Sequence, residues 1–165
     1  VADLSNYCGK GDADLVICQT TLEHVSNNTG AFQGIASILK PGAYGLLFTP
    51  SRHAWFARLN LALPEALKCK LLFSLFPEKA KGHDGFPAHY NRCSPKEFRQ
   101  LVAENNLNVV ELKPYYISSY FQIFFPFYFI WRIWILLFRY VCKENAAETF
   151  AMVIQKPIKK LSSIK

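Results

Sequence analysis

The chain has 165 residues, enough for one domain with a core of its own. Apolar residues make up 51% and aromatic residues 15%, which excludes general disorder. The formal charge of +7 calls for an anionic partner, a nucleic acid or an anionic membrane surface.

The five cysteines (Cys8, Cys18, Cys69, Cys93, Cys142) are odd in number and widely scattered. No CxxC or Cys/His ligand spacing occurs, so neither a disulfide framework nor a metal site is expected, and a reducing cytosolic compartment is the default. The opening Val-Ala-Asp-Leu-Ser-Asn is not a signal peptide, and Val in place of Met points to a truncated or processed chain.

In chain order, a turn-rich stretch at 9–12 precedes an apolar run at 14–19. Its length and Val/Ile content predict a buried strand of the parallel-sheet kind. Residues 20–28 are polar and loop-like, with Asn27 and Asn28 as capping residues. Helical spacing of Ala31, Phe32, Ile35, Ala36, Ile38 and Leu39 predicts a helix over 29–39. Lys40-Pro41-Gly42 ends it, and 43–49 reads as a second buried strand. Strand, helix, tight turn and strand make a βαβ unit.

Residues 50–92 interrupt that pattern. Their apolar part, 55–76, is broken by Pro64 and reads as amphipathic lid helices. Ser94-Pro-Lys-Glu97 is a capping box, predicting a helix to about Asn105 with Phe98, Leu101 and Val102 facing inward. Strands are expected at 108–112 and 149–155, followed by a basic tail. Between those strands, residues 127–143 read as a helix that is apolar nearly all round, with Tyr128, Arg132, Arg139 and Lys143 on one narrow stripe. Such a helix suits a membrane interface, with its cations reaching lipid phosphates, and is short for a span. The alternative is packing on the domain or a dimer partner. No aromatic-basic platform lies outside the greasy segments, so nucleic acid is not expected.

Taken together, Asp14-Leu-Val-Ile-Cys, Leu22-Glu-His-Val25, Ile38-Leu-Lys-Pro-Gly42 and Leu46-Leu-Phe-Thr-Pro50 resemble the second half of class I (Rossmann-like) S-adenosylmethionine-dependent methyltransferases of the small-molecule type. The turn differs from the family pattern in carrying Ala43 for a second glycine. The resemblance implies an α/β fold comprising the fourth to seventh strands of that sheet, with helical inserts at 50–93 and 115–145. It further implies that the glycine-rich cofactor loop lies upstream, since no GxGxG occurs in the chain.

By the same resemblance, Asp3 and Leu4 border the adenine of S-adenosylmethionine, with Gln19 and Thr20 near the cofactor. The acceptor belongs beyond the carboxyl ends of the fourth and fifth strands. There His24 is the candidate base, because a neutral imidazole accepts a proton near pH 7. His53, His89 and Tyr90 are the candidate substrate contacts, and His83 is a further histidine of the same stretch. The function implied is methyl transfer to a small hydrophobic or lipid-linked acceptor by a cytoplasmic protein peripheral at the membrane. The competing reading is a catalytically inactive, methyltransferase-like interaction or membrane-docking module.

Overall fold

The computed structural model describes residues 3–64, 88–117 and 125–158. After a 3-10 turn at Leu4–Asn6 come β1 (Ala13–Gln19), a second 3-10 turn (Leu22–His24), α1 (Asn28–Ile38) and β2 (Leu39–Pro50). Then follow α2 (Trp55–Ala62), α3 (Pro95–Glu104), β3 (Asn108–Tyr115), α4 (Phe125–Cys142) and β4 (Thr149–Gln155).

The four strands form one sheet in the order β1-β2-β4-β3. β1 and β2 are parallel, with Leu15 opposite Tyr44 and Ile17 opposite Leu46. β4 runs antiparallel to both of its neighbours, β2 and β3. The expected βαβ unit is therefore present, because parallel neighbours need a crossover and α1 supplies it.

Local chemistry sets the boundaries. The Asn27 side chain accepts a hydrogen bond from the Gly30 amide (3.1 Å), starting α1. At the other end Leu39 is already extended, so the helix passes into β2 without a loop. The predicted Lys40-Pro41-Gly42 turn is absorbed into the first residues of that strand, where Gly42 takes φ 86°. Ser94 caps α3 by accepting from the Glu97 amide (3.3 Å), with Pro95 at the first helical position. β4 has the predicted limits, whereas β3 runs three residues further than expected.

The core lies on one side of the sheet. Ala31, Phe32 and Ile35 of α1 and Phe98, Leu101 and Val102 of α3 close over Cys18, Leu47, Phe150, Met152 and Ile154. Phe98 is the hinge of this packing, edge-on to both Phe32 (4.9 Å) and Phe150 (5.1 Å). The opposite side corrects the sequence expectation that both parallel strands are buried. Ile17 is 63% exposed, and Leu15, Tyr44 and Leu46 are exposed beside it. The reason is geometric: α1 and α3 both pack on the Cys18 side, and alternation turns these four side chains the other way.

α2 ends at Ala62, two residues ahead of Pro64. The rest of the predicted lid lies outside the described residues. α4 spans 18 residues and is held by one face only: Trp131 and Ile135 are buried, and Trp134 stacks edge-on against Trp55 of α2 (6.2 Å). No helix among the described residues is long and apolar enough to cross a membrane.

Candidate functional site

In an open α/β sheet the ligand crevice lies at the carboxyl ends of parallel strands, here those of β1 and β2. β1 ends at Gln19, and Thr20 turns the chain away with a left-handed φ of 47°, a conformation a β-branched residue seldom adopts. Its amide is held by the Phe48 carbonyl of β2 (2.8 Å), and the Thr21 hydroxyl donates to the Gln19 carbonyl (3.0 Å). Gln19 and Thr20 are both exposed.

Beneath this turn lies a buried polar cluster drawn from four segments. Glu23 is only 4% exposed, and its carboxylate accepts from the Thr49 hydroxyl at the end of β2 (3.1 Å). Its main-chain carbonyl accepts from the amides of His89 (2.8 Å) and Tyr90 (2.9 Å). The Asn28 side-chain amide donates to the carbonyls of Leu22 (3.0 Å) and Asn91 (2.6 Å). Cys93 completes the group, with Sγ 3.7 Å from the Thr49 hydroxyl. Buried polar groups have to be paired in this way, and the pairing locks loop to strand end. Burial pushes the Cys93 thiol up to about 12, against the hydrogen bond it shares with Thr49, as befits a thiol packed in the core.

His24 stands at the rim of this cluster. Its side chain is 39% exposed, with Nε2 3.8 Å from a Glu23 carboxylate oxygen. A carboxylate at that distance can orient the ring while leaving it open to a ligand. The structure thus gathers His24, His89 and Tyr90 around Glu23, a residue that sequence reasoning put at this end of the sheet without a role. Its signal was a carboxylate inside an otherwise packed Leu22-Glu-His-Val25 turn.

His53 occupies a different place. A cavity of about 430 Å³ opens beyond the end of β2, lined by Arg52, His53, Arg58, Leu61, Ala62 and Glu97. Arg52 pairs with Glu97 of α3 (3.1 Å), and the His53 amide donates to the Ser51 hydroxyl (3.2 Å). Burial, then the charge of Arg58, hold the His53 imidazole below the usual histidine range; Glu97 opposes them and Arg52 adds to them. Arg58, which the sequence reading did not single out, rests its guanidinium over the Phe138 ring of α4 (5.5 Å). Its only sequence signal is being the sole charge in α2.

Asp3 and Leu4 lie against α1. The Asp3 carboxylate accepts from the Ser5 amide (2.9 Å) and caps a 3-10 turn, where the resemblance implied the end of a strand. The turn approaches α1 so closely that a Cβ at Gly34 would meet the Leu4 carbonyl oxygen at 2.6 Å. His83 lies outside the described residues. No cluster of metal-ligating side chains occurs among the described residues.

The two arginines of α4 both meet Tyr116. Arg132 donates to the Tyr116 carbonyl (2.7 Å), and the Arg139 guanidinium stacks 4.6 Å over the Tyr116 ring. Tyr116, just past the end of β3, thus offers a carbonyl to the half-buried Arg132 and an aromatic face to the exposed Arg139. What α4 presents outward is apolar. Phe125, Phe129, Ile130, Ile133, Trp134, Leu136, Leu137, Tyr140 and Val141 are all exposed, and at 100° per residue they cover an arc of about 180°.

Comparison with known proteins agrees with this architecture. No match is found among curated proteins. Among solved structures, a Methanosarcina mazei S-adenosylmethionine-dependent methyltransferase superposes with TM-score 0.51 and 17% identity, covering 96% of this chain and 66% of that one. A Haloferax volcanii protein solved in complex with the Trm112 methyltransferase activator gives 0.52 and 16%, covering 95% and 60%. Haemonchus contortus phosphoethanolamine N-methyltransferase 2, solved with S-adenosyl-L-methionine, gives 0.51 and 13%, covering 95% and 36%. At such identities the likeness is one of fold, and the chain spans about a third to two thirds of the length of these proteins. The family model described as a methyltransferase domain matches residues 3–112, from the Asp3 cap to within β3. With two thirds of its length so matched, and its strands in the expected order, the chain belongs to the methyltransferase domain family.

Proposed function

We propose that the protein takes part in S-adenosylmethionine-dependent methyl transfer to a small hydrophobic or lipid-linked acceptor. The observation that carries this reading is the Glu23–Thr49 contact, which ties the loop leaving β1 to the end of the parallel strand β2, at the end of the sheet where an acceptor and a methyl donor would meet. When bound, the cofactor supplies a sulfonium methyl group. Gln19 and Thr20 fit a place beside it, being exposed at the end of β1, and Asp3 offers a carboxylate with one oxygen engaged by Ser5.

For a hydroxyl acceptor, His24 would take the proton, with Glu23 steadying its ring. His89 and Tyr90, tied by their amides to Glu23, border the same rim. Residues 50–93, beginning with α2, would serve as a lid, and residues 115–145 as a docking insert. The outward apolar arc of α4 supports contact with the surface of a membrane, where a lipid-linked acceptor would be met without leaving the bilayer. A protein so placed is cytoplasmic and peripheral.

Calorimetry with S-adenosylmethionine, followed by transfer of a labelled methyl group to a lipid extract, tests the reading. In a protein that includes the upstream glycine-rich loop implied by the family resemblance, saturable binding and labelled lipid are expected, with the label falling about a hundredfold or more in His24→Ala. The 165 residues alone should bind the cofactor poorly or not at all. The competing reading is a catalytically inactive, methyltransferase-like docking module. Vesicle binding with no cofactor heat would select that module instead.

A further inference from the structure

The cavity beyond β2 has a composition that the methyl-transfer reading leaves unused. Two guanidiniums, Arg52 and Arg58, share its wall with one carboxylate, Glu97. A smaller adjoining cavity of about 270 Å³ shares His53 and Glu97 with it and adds Lys96. Three cations therefore stand around one acid. The floor next to Arg58 is apolar, built by Leu61 and Ala62 of α2. Glu148, whose charge also acts on Arg58, lines neither cavity. It is 1% exposed, it accepts from the Trp55 amide (3.4 Å), and burial pushes its carboxyl up towards the neutral form.

We propose that this cavity holds an oxyanion, a phosphate or carboxylate group of the methyl acceptor, between Arg52 and Arg58, with the acceptor's apolar part along Leu61 and Ala62. A planar guanidinium offers paired N–H donors to such a group, and the shallow apolar wall excludes water from one side of it. Arg58 is supported from behind by the Phe138 ring, which fixes its plane without consuming its donors. Arg52 is held in place by Glu97 (3.1 Å). The identification of the anion as part of the acceptor rests on the methyl-transfer reading; the anion site itself does not.

The His53 ring, on the shared wall of both cavities, reports on occupancy. The charged groups facing it are Arg52, Arg58 and Glu97, with Lys96 on the wall of the smaller cavity. An added oxyanion favours the imidazolium, so the His53 pKa rises on binding. The experiment follows the His53 ring signals by NMR in the full chain, assigned with His53→Asn. Inorganic phosphate, phenyl phosphate, and vesicles of phosphatidylcholine with and without phosphatidylglycerol are titrated in separate arms. A saturable shift with an upward pKa is expected, with phenyl phosphate binding more tightly than phosphate. Affinity should weaken about tenfold in Arg58→Gln and stay unchanged in Arg99→Gln, which removes the same charge from an exposed pair with Glu144.

A response to phenyl phosphate in solution assigns a soluble acceptor, and one confined to phosphatidylglycerol vesicles assigns a lipid headgroup. Silence in every arm, or equal loss in both arginine variants, overturns the site. Cofactor heats on the protein that includes the upstream glycine-rich loop judge the methyl-transfer reading separately.

Discussion

Helices α3 and α4 meet the same domain on opposite terms. α3 turns Phe98, Leu101 and Val102 inward and Lys96, Arg99, Gln100 and Glu104 outward, so what it must hide matches what the sheet can cover. α4 buries Trp131 and Ile135 and leaves nine large apolar side chains in the open. The difference teaches that apolar content and core membership are separate properties. α3 is apolar to the extent that the fold requires. α4 carries far more than its contact with α2 and Tyr116 absorbs, and gathers the surplus on a single arc that holds no acid.

The sharpest way to break this comparison is to remove an aromatic from α3. Phe98→Ala vacates the contact with both Phe32 and Phe150 and should cost about 3–5 kcal/mol in urea unfolding. A loss below about 1 kcal/mol would mean that the α3 side of the sheet is not the core. Next comes the polar floor of the crevice. Thr49→Val deletes the hydroxyl that donates to the buried Glu23 carboxylate and should cost about 1–3 kcal/mol. Ser94→Ala, which strips the cap from α3, should cost about 1 kcal/mol by the same measurement.

Those three sites differ in how far they could be read beforehand. Ser94 was legible because a cap, a proline and a glutamate within four residues form a local signal. The parallel pair β1 and β2 was legible for a similar reason, since a strand, a helix and a strand in close succession leave few arrangements. The Thr49–Glu23 bond was not. It joins residues 26 positions apart, and Cys93 and Asn91 enter from a segment more than 40 residues further on. No pattern along the chain announces which buried polar groups will meet. The α4 cations show the same limit from another side. Their stripe was plain in the sequence, but the partner they meet, Tyr116, lies 16 residues before Arg132 at a strand end with a carbonyl to spare.

The smallest expected effect on stability is also the one that most sharpens the contrast between the helices. Ile130 and Leu137 sit mid-arc on α4, exposed 65% and 63%. Ile130→Glu with Leu137→Glu should therefore leave unfolding within about 0.5 kcal/mol of the parent, as expected for surface positions. Co-sedimentation with anionic vesicles should nonetheless fall steeply, because the change places two carboxylates where an interfacial helix buries its apolar face. Arg132 and Arg139 are poorer probes of the same question, since each also secures Tyr116 and their loss would confuse docking with folding. Stability lost together with vesicle binding would make α4 a second α3, its outward face covered by protein. Stability kept and binding lost would leave the membrane as the surface that takes up what the domain does not.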